Sequence, residues 1–201
     1  LLFSFEIVSH GLKLKFIWRR LILLFILGGI AFGLYTPIHE LGHALFATAL
    51  GGKVTSLYLG PFGGYCSWAG LEGARQNIAL AGGIILTLLI GLVLLFAYRR
   101  KMFFELRFFS FGLLTALLGS GILYLLRDSL NYLISGLPLY NLGDVMKLIM
   151  RGVPAPIFLA VGLFLVWLVL SPLKYIEHLA SLCRDAVNYA VKDVRVKIEK
   201  R

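Results

Sequence analysis

Long apolar runs separated by short polar punctuation dominate this chain. A helical membrane span needs roughly 20 predominantly apolar residues. Stretches of about that length run from Leu21 to Leu50, Ile78 to Tyr98, Phe108 to Leu126 and Val153 to Leu173. A different pattern fills the gap after the first. Val54 to Leu59 is rich in β-branched, aromatic and aliphatic residues, and Gly60-Pro61-Phe62-Gly63-Gly64 is strong turn chemistry. Lys53 to Trp68 therefore predicts two short strands joined by a turn. Open strand edges cannot face lipid, so this hairpin must lie at the interface or line a cavity. The N-terminal LLFSFEIV is too short to span, and with Lys13 and Lys15 beside it predicts an interfacial segment over residues 1–20. Near the other end Ile176, Leu179, Cys183, Val187, Val194 and Ile198 recur at helical spacing among basic residues. They predict an amphipathic helix over residues 174–201. The expected fold class is an all-α polytopic membrane protein, with about four transmembrane helices in a core over residues 21–173. A short membrane-associated β-hairpin follows the first helix.

Composition strengthens this picture. The apolar fraction is 59%, above the roughly 45–50% of a soluble domain. The net charge of +10 would suit nucleic acid, but the basic residues flank the apolar runs, where they fit lipid headgroups better. The bilayer, not nucleic acid, is the expected partner. Cys66 and Cys183 lie far apart and outside any metal-ligand spacing, so a disulfide framework is not expected. The chain opens on Leu1-Leu2 rather than Met, which leaves room for an upstream targeting segment.

Candidate chemistry concentrates in Thr36 to Phe46, TPIHELGHALF. On a helix, His39 and His43 share a face one turn apart, where both imidazoles can bind one zinc ion. Glu40 beside them suits a general base. Ionisable groups at membrane depth are costly, which makes a functional role the default reading. A catalytic zinc takes three protein ligands and keeps a position open for water. The carboxylates expected on the same side of the membrane are Glu72, Asp128 and Asp144. Asp128 follows Arg127 and reads first as a solvated interfacial charge. Asp144 lies among Leu142, Val145 and Leu148, where an unpaired carboxylate is hard to accommodate. Asp144 is the favoured third ligand, Asp128 the alternative, and a helix N-cap the other role open to Asp144.

His39-Glu40-Leu41-Gly42-His43-Ala44-Leu45-Phe46-Ala47, then Gly51-Gly52, Pro61-Phe62-Gly63-Gly64-Tyr65 and Ala79-Leu80-Ala81-Gly82-Gly83, resemble the site-2 protease family of intramembrane zinc metalloproteases. The resemblance covers roughly Leu21 to Arg151. It implies a zinc-dependent endopeptidase, with His39 and His43 as ligands, Glu40 as catalytic residue and a later segment supplying the third ligand. Two departures mark a divergent member. Gly83 stands where the family favours Pro, and Leu142-Gly143-Asp144 transposes the family's Leu-Asp-Gly. The hairpin reads either as a structural plug or as an edge that pairs with an unwound substrate strand. The resemblance favours the second, with Val54, Ser56, Tyr58, Gly63, Gly64 and Tyr65 as substrate-binding residues. Asn77 and Asn141 are candidate oxyanion donors, with helix capping as their other reading. Gly28-Gly29, Gly82-Gly83 and Gly119-x-Gly121 are expected to permit close helix packing.

The implied partners are a membrane protein substrate and, since no regulatory domain is recognisable, a regulatory membrane partner. An inactive relative acting as a membrane scaffold or chaperone is the alternative, which the intact Glu40 disfavours. A transporter would need polar residues across several spans, and little beyond Thr87, Ser110, Thr115 and Ser120 offers them. With four spans, both termini share one side. That side holds Lys13, Lys15, Arg19, Arg20, Arg99, Arg100, Lys101, Arg107 and the seven basic residues from Lys174 onward, 15 in all. The other side holds Lys53, Arg75, Arg127, Lys147 and Arg151, only 5. Positive charge marks the cytosolic side, so a reporter fused at either terminus is predicted to be cytosolic. Reporters at both ends outside the cytosol would contradict the charge argument. The histidine end of span one would then face away from the cytosol, whereas the family commonly holds its zinc nearer the cytosolic face.

Overall fold

The computed structural model describes residues 19–97, 103–136, 143–170 and 175–199. The N-terminal interfacial segment expected over residues 1–20 lies almost wholly outside them. Helix α1 (residues 19–33) passes through a single turn at Leu34 into α2 (Tyr35–Ala49), and together they make one apolar span, Arg19–Ala49. Pro37 does not interrupt it. The Leu34 amide donates to Ile30 O at 3.0 Å and the Ile38 amide to Leu34 O at 3.2 Å, so the helical bonds cross the junction. Pro37 is third in α2, within the first turn, where a missing N–H is tolerated. At the far end Gly51 adopts φ 86°. Gly52 N–H then reaches Ala47 O at 2.9 Å and Gly51 N–H reaches Thr48 O at 3.0 Å. This left-handed closure ends the helix and turns the chain into the hairpin.

Strands β1 (Lys53–Leu59) and β2 (Gly64–Ala69) pair antiparallel, from Lys53 opposite Ala69 to Leu59 opposite Gly64. An irregularity lies between Val54 and Ser56. Five helices follow: α3 (Gly73–Ala97), α4 (Phe104–Ser135), α5 (Asp144–Met150), α6 (Ala155–Leu170) and α7 (Tyr175–Glu199). Helices α3 and α4 are each long and apolar enough to cross a membrane, like the first span. Two lengths differ from the sequence expectation. Helix α4 has 32 residues, or about 48 Å at 1.5 Å per residue, so it carries Arg127 to Ser135 well beyond the apolar run. Helix α6 has 16 residues, about 24 Å, which falls short of the roughly 30 Å hydrocarbon core. Only together with α7, across a bend of 50°, does it reach the length of a fourth span. The amphipathic C-terminal segment is helical, and its Leu182 is buried with Phe111, Leu114 and Val169.

Packing explains which helices form the core. Leu125 of α4, Val145 and Ile149 of α5, Ile84 of α3 and Leu165 of α6 make one buried cluster. By contrast Phe25 and Phe96 are 83% and 71% exposed, as side chains facing lipid would be. Helices α2 and α3 meet backbone to backbone. A Cβ on Gly42 would stand 2.4 Å from Gly82 O, and one on Gly82 would stand 2.7 Å from Gly42 O. Gly121 likewise accommodates Leu88, whereas Gly29 and Gly119 border open space and play no such part.

Gly42→Ala should therefore lower the thermal unfolding midpoint in detergent, through an overpacking cost of about 1–3 kcal/mol. Gly119→Ala should leave the midpoint unchanged or raise it. Equal midpoints for Gly42→Ala and wild type would contradict the close contact.

Candidate metal centre

The helical spacing of the motif places both imidazoles on the buried side of α2. His39, Glu40 and His43 are each no more than 9% exposed. Asp144 opens α5, after Gly143 in extended backbone, and faces them. Its Oδ2 lies 2.7 Å from His39 Nε2 and 3.0 Å from His43 Nε2, and the two imidazole nitrogens are 3.2 Å apart. Among the described residues, His39, His43 and Asp144 are the group of three or more His, Cys, Asp or Glu side chains able to hold a metal ion. Ligand atoms of a tetrahedral zinc ion with bonds of about 2.0–2.1 Å stand roughly 3.3 Å apart. The observed triangle is slightly tighter, and two nitrogens with one carboxylate oxygen are a donor set that suits zinc.

Neighbouring groups orient these three side chains. His43 Nδ1–H donates to Ala79 O at 3.0 Å, which leaves Nε2 as the lone-pair donor toward the centre. The Trp68 ring stacks on His43, with centroids 5.8 Å apart and planes at 29°. Tyr35, one turn before His39, places its hydroxyl 3.5 Å from His39 Nδ1. The other Asp144 oxygen accepts from Lys147 Nζ at 3.1 Å. Burial pushes the Asp144 carboxyl up, but hydrogen bonds and charge from His39 and His43 outweigh it and hold the group well below the usual carboxylate range. Asp144 is thus the anionic corner of the triangle.

Asp128 is not brought to the imidazoles. It is 1% exposed rather than solvated, and Arg127 Nε and Nη2 reach its Oδ1 at 2.8 and 2.7 Å. Glu72 is exposed just before α3. Asn77 has a buried carboxamide oxygen without a partner among the described residues, and Asn141 lies outside them. The hairpin packs over the motif through the inward side of β2. A Cβ on Gly64 would stand 2.7 Å from Glu40 Cγ and 3.0 Å from Thr36 Cγ2. Two residues on, burial and the Glu40 carboxylate push the Cys66 thiol up, and Trp68 continues the same face. Val54 packs with Ala47, Leu71 and Ala79, whereas Tyr58 and Tyr65 are an exposed cross-strand pair. Ser56 is exposed, and nothing lies within 4 Å of where a Gly63 Cβ would be.

Sequence reasoning missed Trp68, Tyr35 and the part played by Gly83. Period-two alternation from Gly64 could have placed 64, 66 and 68 on one face, but nothing local marks Gly83. A Cβ there would stand 2.6 Å from His43 Nε2 and 2.7 Å from His39 Nε2. Gly83→Ala should therefore weaken zinc binding at least about 10-fold, the scale of losses around metal ligands. The measurement is competition with a chelating dye, and wild-type affinity in this variant would show that α3 leaves more room than the geometry implies.

Comparison with known proteins adds one positive finding. No curated protein and no solved structure matches the chain. The model of the family described as Peptidase M50B-like matches residues 15–191, which include both histidines, Glu40, the hairpin and Asp144. Its span covers nearly the whole chain and agrees with the resemblance carried by the HELGH motif. By that match this chain, an integral membrane protein, belongs to the Peptidase M50B-like family of site-2 proteases.

Proposed function

We propose that this protein is an intramembrane zinc metalloprotease that hydrolyses peptide bonds of membrane-bound protein substrates. The observation that carries the reading is the convergence of His39 Nε2 and His43 Nε2, on an apolar span that also carries Glu40, with Asp144 Oδ2. His39, His43 and Asp144 would hold the ion. When bound, zinc supplies Lewis-acid polarisation of the scissile carbonyl and lowers the pKa of water to about 7.

The protein's own groups do the rest. Glu40 adjoins the first ligand in sequence, and its stem packs beside Gly64 of the hairpin. It serves as the base that takes a proton from the attacking water and as the acid that returns it to the leaving amine. Trp68, Cys66 and Gly64 cover the motif from the hairpin side, which limits water to what the reaction needs. A helical substrate keeps its carbonyls bonded, so it must unwind before it is cut. The hairpin edge offers backbone donors and acceptors to the extended strand. Tyr58 and Tyr65, exposed on adjacent strands, suit contact with its side chains, while Val54 supports the sheet from within. Control would come from a membrane partner.

Glu40→Gln should retain zinc and lose cleavage of a membrane substrate by about 10²–10⁴-fold, the usual contribution of a general acid–base. His43→Ala should lose both zinc and cleavage. Normal cutting by Glu40→Gln would exclude the mechanism.

A further inference from the structure

A second polar cluster stands behind the centre, where the apolar run of α4 gives way to its polar extension. Arg127 lies over the Tyr124 ring, with Cζ 4.9 Å from its centroid, and binds Asp128 Oδ1 through two nitrogens. Asp128 is 1% exposed, and its Oδ2 has no hydrogen-bond partner among the described residues. A buried carboxylate is costly even when paired, and this one is only half satisfied. Its surroundings show what it touches. A Cβ on Gly143 would stand 2.7 Å from Asp128 Oδ2, 3.4 Å from Arg127 Nη2 and 3.6 Å from Tyr124 Cδ1. All three cluster members therefore border the residue immediately before Asp144. The same cluster reaches the other ligand segment, because Tyr124 stacks with Tyr35 at 6.5 Å and 19°.

We propose that Asp128, locked by Arg127 on the rigid α4 helix, is a positioning residue that sets where α5 begins and so where Asp144 meets the two histidines. This rests on the reading of His39, His43 and Asp144 as metal ligands. Asp128 contacts Gly143 and not the ligand atoms, so it acts through the backbone that carries Asp144. A Cβ at 143 would have to displace the carboxylate that Arg127 holds, so glycine suits this position. Tyr124 ties the same support to Tyr35 and thereby to the helix of His39. One rigid cluster thus references ligands that come from distant parts of the chain.

The test uses the full chain in detergent, zinc alone as probe in competition with a chelating dye, and the cobalt absorption spectrum as a report of ligand geometry. Asp128→Ala should weaken zinc about 10–100-fold, as loss of support around metal ligands does, and should alter the cobalt bands. Asp128→Asn, which keeps the shape and an acceptor for Arg127, should stay nearer to wild type. Gly143→Ala should weaken zinc comparably, and it carries the test alone should Asp128→Ala fail to accumulate. The double variant should bind no worse than the weaker single one, because both act through one contact. Asp128→Ala or Gly143→Ala with wild-type zinc affinity and spectrum overturns the proposal, as do additive losses in the double variant. A wild-type chain that binds no zinc overturns the metal-centre reading itself, an outcome distinct from equal binding by wild type and variant.

Discussion

The contact on which the arrangement depends is the approach of Asp144 Oδ2 to His39 Nε2 and His43 Nε2, at 2.7 and 3.0 Å. It joins groups about a hundred positions apart in sequence, inside a chain 59% of whose residues are apolar. A carboxylate and two imidazoles would each be expensive to bury alone. Brought together they satisfy one another, and the same convergence makes a site for a cation. Helix α2 presents the histidines, α3 must come close enough to align His43 through Ala79 O, and α5 must begin where Asp144 can reach. The span, the glycine contact and the α4 extension each serve one of these requirements.

The bilayer sets how those requirements are met. Between helices in lipid there is little hydrophobic driving force, so close backbone approach does more of the work. Gly42 and Gly82 allow that approach, and Gly83 lets α3 lie against both imidazoles. A larger residue at 83 would occupy space that the ligands converge upon. The hairpin solves a different problem. A motif left open to lipid on one side could not admit water, and one left open to solvent could not exclude it. The inward face of β2, with Gly64 on Glu40 and Trp68 on His43, closes that side with a small surface.

Much of this was legible in the sequence where the determinant is local. His39, Glu40 and His43 are fixed by helical spacing, and the hairpin by its turn chemistry, with Lys53–Leu59 and Gly64–Ala69 close to the expected strands. That the Asp144 carboxylate needs partners could be inferred from its apolar neighbours. What separates Asp144, which meets the imidazoles, from Asp128, which does not, is tertiary. Asp128 is as hidden as any ligand, but it lies on the continuation of α4 and is taken up by Arg127. The length of α4 was underestimated because its last turns are polar, so an apolar-run criterion stops too early. Helix α6 is described over Ala155–Leu170, and the end of the expected Val153 to Leu173 run lies outside the described residues. Strand alternation could have put Trp68 on the inward face, but Gly83 and Tyr35 could not be assigned, because their parts exist only once α2 and α3 have packed.

X-ray absorption at the zinc K edge of the purified protein tests the proposed centre most directly. One zinc per chain is expected, with a first shell of nitrogen and oxygen at about 2.0–2.1 Å and the outer-shell signature of two imidazoles. A sulfur shell at about 2.3 Å, which would implicate Cys66 or Cys183, or zinc without imidazole scattering, would contradict it.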